Sequence, residues 1–144
     1  MIAIGCDMAG YALKRTVIRY LEEKGIPYMD MGCDGTEAVD YPVYAKKVCR
    51  AILNKEADRG ILICGTGIGM SMAANKFRGI RAAVVSDCFS AEATRLHNDA
   101  NVLCMGERVT GPGLAVKITE TFLNTAFSGA ERHARRISQL EEDF

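Results

Sequence analysis

Short aliphatic runs alternate with amphipathic stretches along the whole of this chain. Ile2-Ala3-Ile4 reads as a first strand, followed by Gly5-Cys6-Asp7. From about Gly10 to Lys24, Leu13, Val17, Ile18 and Leu21 fall at helical spacing, and Gly25 stops the helix. Pro27 to Met31 is strand two, and the polar stretch Gly32 to Glu37 is a loop. Asp40-Tyr41-Pro42 opens a second helix to about Asn54, with Asp40 near the N-cap and Pro42 in the first turn. Gly60 to Ile63 is an unbroken apolar run of the kind found in strands buried on both faces. A glycine-rich turn and a helix over Met70 to Lys76 follow it. Ile80 to Val85 is strand four, Ser86-Asp87 begins a helix to about His97, and Asn101 to Met105 is strand five. Helix signals return from Gly113 to about Phe127, and a charged segment from Glu131 to Glu142 closes the pattern.

Strands separated by helices require right-handed crossovers, which place the strands in one parallel sheet with helices on both faces. The expected fold is therefore a three-layer α/β/α sandwich around a five-stranded parallel sheet. With 144 residues and no repeat, linker or low-complexity tract, the expectation is a single domain over 1–144. Eighteen basic and eighteen acidic residues cancel, so no global charge points to nucleic acid or an anionic membrane. No apolar run approaches the roughly 20 residues of a membrane span. Met1 to Ile4 reads as a strand rather than a secretory leader, because no basic n-region or small-residue cleavage site accompanies it. The six cysteines are spread singly with no C-x-x-C, which suggests reduced thiols and a cytoplasmic protein.

Candidate chemistry gathers where strands end. Parallel sheets bind ligands beyond the carboxyl ends of their strands, and those ends carry Cys6-Asp7, Cys64-Gly65-Thr66, Ser86-Asp87 and Gly106-Glu107-Arg108. Cys64 stands out. A free cysteine is ordinarily a small buried hydrophobe, but this one precedes Gly65-Thr66-Gly67-Ile68-Gly69 and a helix N-terminus, which favour the thiolate. The glycine run matches neither a dinucleotide fingerprint nor a P-loop, and it suits a small oxyanion or phosphate. No cysteine or histidine spacing suggests a zinc site. His97 ends a helix just before a strand, where a histidine often only caps carbonyls. Arg132 and Arg136 are four apart, so both can reach one anion from a single helical face, although a solvated basic face is the commoner arrangement.

In order, Gly5-Cys6-Asp7, Asp40-Tyr41-Pro42 and Ile63-Cys64-Gly65-Thr66-Gly67-Ile68-Gly69 resemble the B-type ribose-5-phosphate isomerases and the related galactose-6-phosphate isomerase subunits. The resemblance continues through Ala73-Ala74-Asn75-Lys76, Gly79-Ile80-Arg81-Ala82, His97-Asn98-Asp99-Ala100-Asn101, Gly106-Glu107-Arg108-Val109 and Arg132-His133, covering essentially the whole chain. It implies a Rossmann-like fold and isomerisation of a phosphorylated sugar without metal or cofactor. It also implies a homodimer or dimer of dimers with shared active sites, in which the helix over about 131–142 packs on a partner subunit. Two departures stand out. Met8 occupies the place where a histidine usually follows the aspartate, and Gly129-Ala130-Glu131-Arg132-His133 replaces the common Gly-Gly-Arg-His.

Aldose–ketose isomerisation moves a proton between two carbons through a cis-enediolate, so it needs a base near the carbon acid. By the resemblance that base is Cys64, with Thr66 orienting or relaying protons and the N–H groups around Gly65, Gly67 and Gly69 holding the oxyanion. His97 would open the sugar ring, Asp7 and Asn98 would hold hydroxyls, and Tyr41 would line the pocket. Arg108, Arg132 and Arg136 would bind the phosphate. Ribose 5-phosphate is the substrate the resemblance implies first, with galactose 6-phosphate or allose 6-phosphate as alternatives. Met8 offers a soft apolar wall where the family histidine would donate, so weaker use of ribose 5-phosphate is expected. The rival readings are a non-catalytic subunit of such an enzyme and a phosphate- or nucleotide-binding module.

Overall fold

The computed structural model describes residues 1–143. In chain order the elements are β1 (Ile2–Cys6), a 3-10 turn (Met8–Gly10), α1 (Tyr11–Glu23), β2 (Tyr28–Asp30), α2 (Tyr41–Leu53) and β3 (Arg59–Cys64). They continue with α3 (Ile68–Ala74), β4 (Ala82–Val84), α4 (Cys88–Asn98), β5 (Val102–Gly106), α5 (Pro112–Asn124) and α6 (Glu131–Leu140). The strands form one five-stranded sheet in the order β2-β1-β3-β5-β4, and every pairing is parallel. The expected three-layer α/β/α sandwich is the observed one.

Strand alternation splits the core in two. Ile61, Ile63, Leu103 and Met105 face α1, α4 and α5, where they pack with Leu13, Val17, Ile18, Leu21, Ile118 and Phe122. Leu62, Cys64, Val102 and Cys104 face α2 and α3, against Ala45, Val48, Cys49, Met70 and Ala74. Both faces of β3 are thus buried, as a continuous apolar run requires. The two edge strands are shorter than the pattern suggested. Pro27 has no N–H to give a ladder, and the Ile80 N–H is taken by the Phe77 carbonyl, so β2 and β4 begin later. The helix after β4 is capped as its sequence implies, with Asp87 accepting from the Ser90 N–H at 2.7 Å. Asp40 occupies the N-cap position of α2 without a side-chain hydrogen bond.

One member of the core is charged. Lys14, on the apolar face of α1, is fully buried, with its ammonium donating to Asp30 Oδ1 at 2.7 Å and to the Cys33 carbonyl. Loop 32–37 is folded over it, and the carboxylate and carbonyl replace the water the ammonium has lost. No helix among the described residues is long and apolar enough to cross a membrane.

The turn after β1 is held by close backbone approach. A Cβ on Gly10 would lie 2.5 Å from the Ile63 carbonyl oxygen, so the turn carrying Asp7 and Met8 touches β3 directly. Gly10→Ala is expected to lower stability by about 1–3 kcal/mol, the usual cost of overpacking, because backbone cannot give way as a flexible side chain does. A urea midpoint equal to that of the unmodified protein would show that the turn moves freely.

Candidate active site

β1, β3 and β5 end side by side, with Cys6 paired to Ile63 and Cys64 paired to Gly106. Beyond these ends the chain turns three times, and the turns carry the candidate residues.

After β3 the chain bends at Gly67, whose φ of 82° is a left-handed conformation that suits glycine. The bend folds the Gly67 N–H back onto the sulfur of Cys64, donating at 3.1 Å. The Ile68 N–H donates to Thr66 Oγ1 at 3.2 Å. Two N–H groups of the glycine turn are therefore already committed, one to the thiol and one to the hydroxyl. The other two glycines supply space rather than curvature. A Cβ on Gly65 would sit 3.2 Å from Arg108 Nη1, and one on Gly69 would sit 2.8 Å from Tyr41 Cζ. Arg108 and Tyr41 thus approach the Cys64 turn from two sides because glycine leaves them room.

Asp7 is nearly buried and caps the turn that follows it, with Oδ1 accepting from the Ala9 and Gly10 N–H groups at 2.9 and 3.2 Å. One carboxylate oxygen of a residue expected to hold a hydroxyl is thus engaged by backbone. Met8 opens the same turn and is half-buried. Glu107, a strand-end residue with no expected role, accepts from the Leu13 N–H at 2.8 Å and ties the start of α1 to the end of β5. No local signal in the sequence joins residues 94 positions apart.

Three of the other cysteines are held in the thiol form by burial. Burial pushes the Cys6 and Cys49 thiols up to about 12 and raises that of Cys104 as well. These three stay protonated near neutral pH and cannot act as bases there.

His97, Asn98, Arg132 and Arg136 lie elsewhere. α4 runs away from the carboxyl edge of the sheet, so His97 and Asn98 end it near the start of β5, at the edge where Gly60 pairs with Val102. Four strand steps, about 13 Å of extended chain, separate that edge from the Cys64 edge. There His97, Asn98, Arg132, His133, Arg136, Ile137 and Leu140 line a cavity of about 320 Å³. His133 is the one buried residue of α6, with its Nδ1 2.7 Å from Ser128 Oγ and its ring 4.6 Å from that of His97. Burial lowers its pKa, and the charges of Arg132, His97 and Arg136 lower it further. The neutral form of His133 is thus favoured beside two arginines. In sequence His133 only follows Arg132 in the motif and carries no expected role.

One chain thus presents two sets of polar groups at opposite edges of its sheet: a thiol with a turn of N–H donors, and an imidazole pair with two arginines. The sequence pattern of the ribose/galactose isomerase family matches residues 2–140. The chain is 50% identical over 141 residues to the ribose-5-P isomerase B of Listeria innocua, covering 98% of this chain and 95% of that one. It superposes with a TM-score of 0.96 on a ribose 5-phosphate isomerase from Thermotoga maritima, at 51% identity over 99% of this chain and 97% of that one. It is also 46% identical over 129 residues to the D-erythrulose-4-phosphate isomerase of Pectobacterium atrosepticum, covering 89% and 85% of the two chains.

Proposed function

The chain belongs to the ribose/galactose isomerase family, and we propose that it interconverts ribose 5-phosphate and ribulose 5-phosphate at a site completed by a second copy of itself. It is an aldose–ketose isomerase of a phosphorylated sugar, in keeping with its 50% identity to a ribose-5-P isomerase B over nearly its whole length. The observation that carries the mechanism is the N–H of Gly67 donating to the sulfur of Cys64. That hydrogen bond aims a backbone donor at the sulfur at a strand end, next to an arginine.

In this mechanism Cys64 takes the proton from the carbon beside the carbonyl and returns it to the neighbouring carbon. Thr66 carries the proton between the two oxygens, since its hydroxyl accepts from Ile68 and still has a hydrogen to donate. N–H groups in the first turn of α3 that lack helical partners stabilise the enediolate. His97 of the partner subunit opens the ring. Asn98 and the two arginines of α6 come from the same partner. Arg108 meets the phosphate from the Cys64 side. The separation of His97 from Cys64 within one chain supports a composite site. So does α6, which buries a single residue and leaves the rest of its surface free to pack on another subunit. A cytoplasmic setting belongs to the same reading, because a thiolate base needs a reducing compartment.

Substrate choice turns on Met8. Losing one charge-assisted contact is worth roughly 1.5–3 kcal/mol, about ten- to a hundredfold in affinity. A relative named for a four-carbon sugar phosphate, at 46% identity, favours a second reading in which a different sugar phosphate is preferred. Both readings are tested by measuring kcat/KM of the pure chain on a panel of tetrose, pentose and hexose phosphates. Met8→His is expected to raise kcat/KM for ribose 5-phosphate about tenfold relative to the other sugars. An unmodified protein that already prefers ribose 5-phosphate, with no change in Met8→His, would remove Met8 from specificity. No turnover of any sugar phosphate would return the chain to the class of non-catalytic subunits or phosphate-binding modules.

A further inference from the structure

Asn75, Arg81 and Asn101 have no part in the mechanism above, yet the fold knits them together. Asn75, at the end of α3, holds both the N–H and the carbonyl of Ala82, at 2.8 and 2.9 Å. Asn101 accepts from the Arg81 N–H at 2.8 Å and donates to the Gly79 carbonyl at 2.8 Å. The backbone on either side of Arg81 is thus fixed before its side chain is considered.

The guanidinium then spans two elements. Nε donates to the Asn98 carbonyl at 2.9 Å and Nη2 to the Asp99 carbonyl at 2.9 Å, which are unpaired carbonyls at the end of α4. Nη1 donates to Glu141 Oε1 at 2.7 Å, just beyond the end of α6, and Glu141 Oε2 accepts from the Gly79 N–H at 3.0 Å. The side chains of Arg81 and Glu141 are 20% and 29% exposed, so the pair is largely shielded from water. Burial by itself would raise the Glu141 carboxyl, but hydrogen bonds from Arg81 and the Gly79 N–H, with the charge of Arg78, hold it below its usual range. One planar fork therefore joins the end of the helix that presents His97 and Asn98 to the far end of the helix that presents Arg132, His133 and Arg136.

We propose that Arg81 is a positioning residue, and that its clamp between the end of α4 and Glu141 sets the distance between His97 and the arginines of α6. It touches no substrate. The proposal rests on the isomerase reading only in taking His97, Arg132 and Arg136 to meet the sugar phosphate. Lysine could not substitute, because a single ammonium has no fork to hold two carbonyls and a carboxylate together.

The test uses the full chain with Arg81→Lys and Glu141→Gln, each checked for unchanged circular dichroism and oligomeric state. Glu141→Gln frees only α6. It is expected to raise KM and the inhibition constant of inorganic phosphate about fivefold, with kcat within about twofold. Arg81→Lys frees both ends. It is expected to raise the same two constants and also to lower kcat on ring-closed sugar phosphates about tenfold. General destabilisation would not divide the effects in this way. The chain has two histidines, so NMR of their imidazole signals offers a readout independent of turnover. The His97 signal is expected to shift in Arg81→Lys and, in the unmodified protein, on adding inorganic phosphate. A folded Arg81→Lys with KM, phosphate inhibition and His97 signal equal to the unmodified protein's would overturn the proposal. If Arg81→Lys does not fold, an unchanged KM and phosphate inhibition in Glu141→Gln would overturn it equally. If the unmodified chain turns over no sugar phosphate, the isomerase reading fails on its own. The imidazole signals of the two variants, with and without phosphate, then decide the clamp.

Discussion

Cys64→Ser is expected to fold normally and to lose about 10²- to 10⁴-fold in kcat, the range supplied by a positioned general base. The substitution is nearly isosteric, and the hydroxyl can still accept the Gly67 N–H that now reaches the sulfur at 3.1 Å. Only basicity changes, because a serine hydroxyl is a far weaker acid than a thiol and has almost no anionic form near neutral pH. The loss should therefore fall on kcat while KM moves little, since binding groups are untouched. A companion experiment uses iodoacetamide with peptide mapping. Cys64 should be alkylated in the free protein and protected by saturating sugar phosphate. Cys88, partly exposed at the start of α4, should react equally in both cases and serves as the internal control. Near-native kcat in Cys64→Ser would remove the thiol from the chemistry.

A mixture of two inactive proteins is expected to recover activity. His97→Asn should lose ring-closed substrates while sparing one that is already open, because an amide can hold a hydroxyl but cannot exchange a proton with it near neutral pH. Cys64→Ser should lose both. On the proposed pairing, half of the dimers formed when the two are unfolded together and refolded are mixed. Each mixed dimer then carries one site with both Cys64 and His97 intact, so about a quarter of the unmodified activity on ring-closed substrate should return. The geometry behind this is the passage of α4 from the Cys64 edge of the sheet to the opposite edge, where it ends with His97. Mixtures no more active than their components would place each complete site within one chain or leave His97 outside the reaction.

The two experiments fail in different ways. Loss of activity in Cys64→Ser without complementation would keep the base and discard the shared site. Complementation with a small effect of His97→Asn on closed rings would keep the shared site and discard ring opening.

Much of the fold is legible along the chain because its signals are local. The helical spacing of Leu13, Val17, Ile18 and Leu21 marks α1 whatever it later packs on, and the apolar run through Ile63 is too short for a helix and ends at a glycine turn, which marks a buried strand. Asp87 caps α4 from three residues away, and Gly67 turns the chain within its own peptide units. The thiol-bearing strand end at Cys64 was legible for the same reason, since strand, turn and helix are contiguous.

What depended on the tertiary structure involves partners distant in sequence. Helical spacing puts Lys14 on the stripe of Val17, Ile18 and Leu21, but the acceptors that let an ammonium lie there sit on Asp30 and Cys33 and close over it only when β2 pairs with β1. Gly65 and Gly69 look like turn residues in sequence, and only the arrival of Arg108 and Tyr41 shows that they are spaces. Glu107 reaches Leu13 across 94 residues and Arg81 reaches Glu141 across 60. The sequence by itself determined the alternation of strand and helix, the parallel sheet and the strand end that carries the thiol, because periodicity and chain reversal are properties of neighbouring residues. The separation of Cys64 from His97 was decided only in three dimensions, because a helix returning across a sheet carries its last residue to the opposite edge from its first.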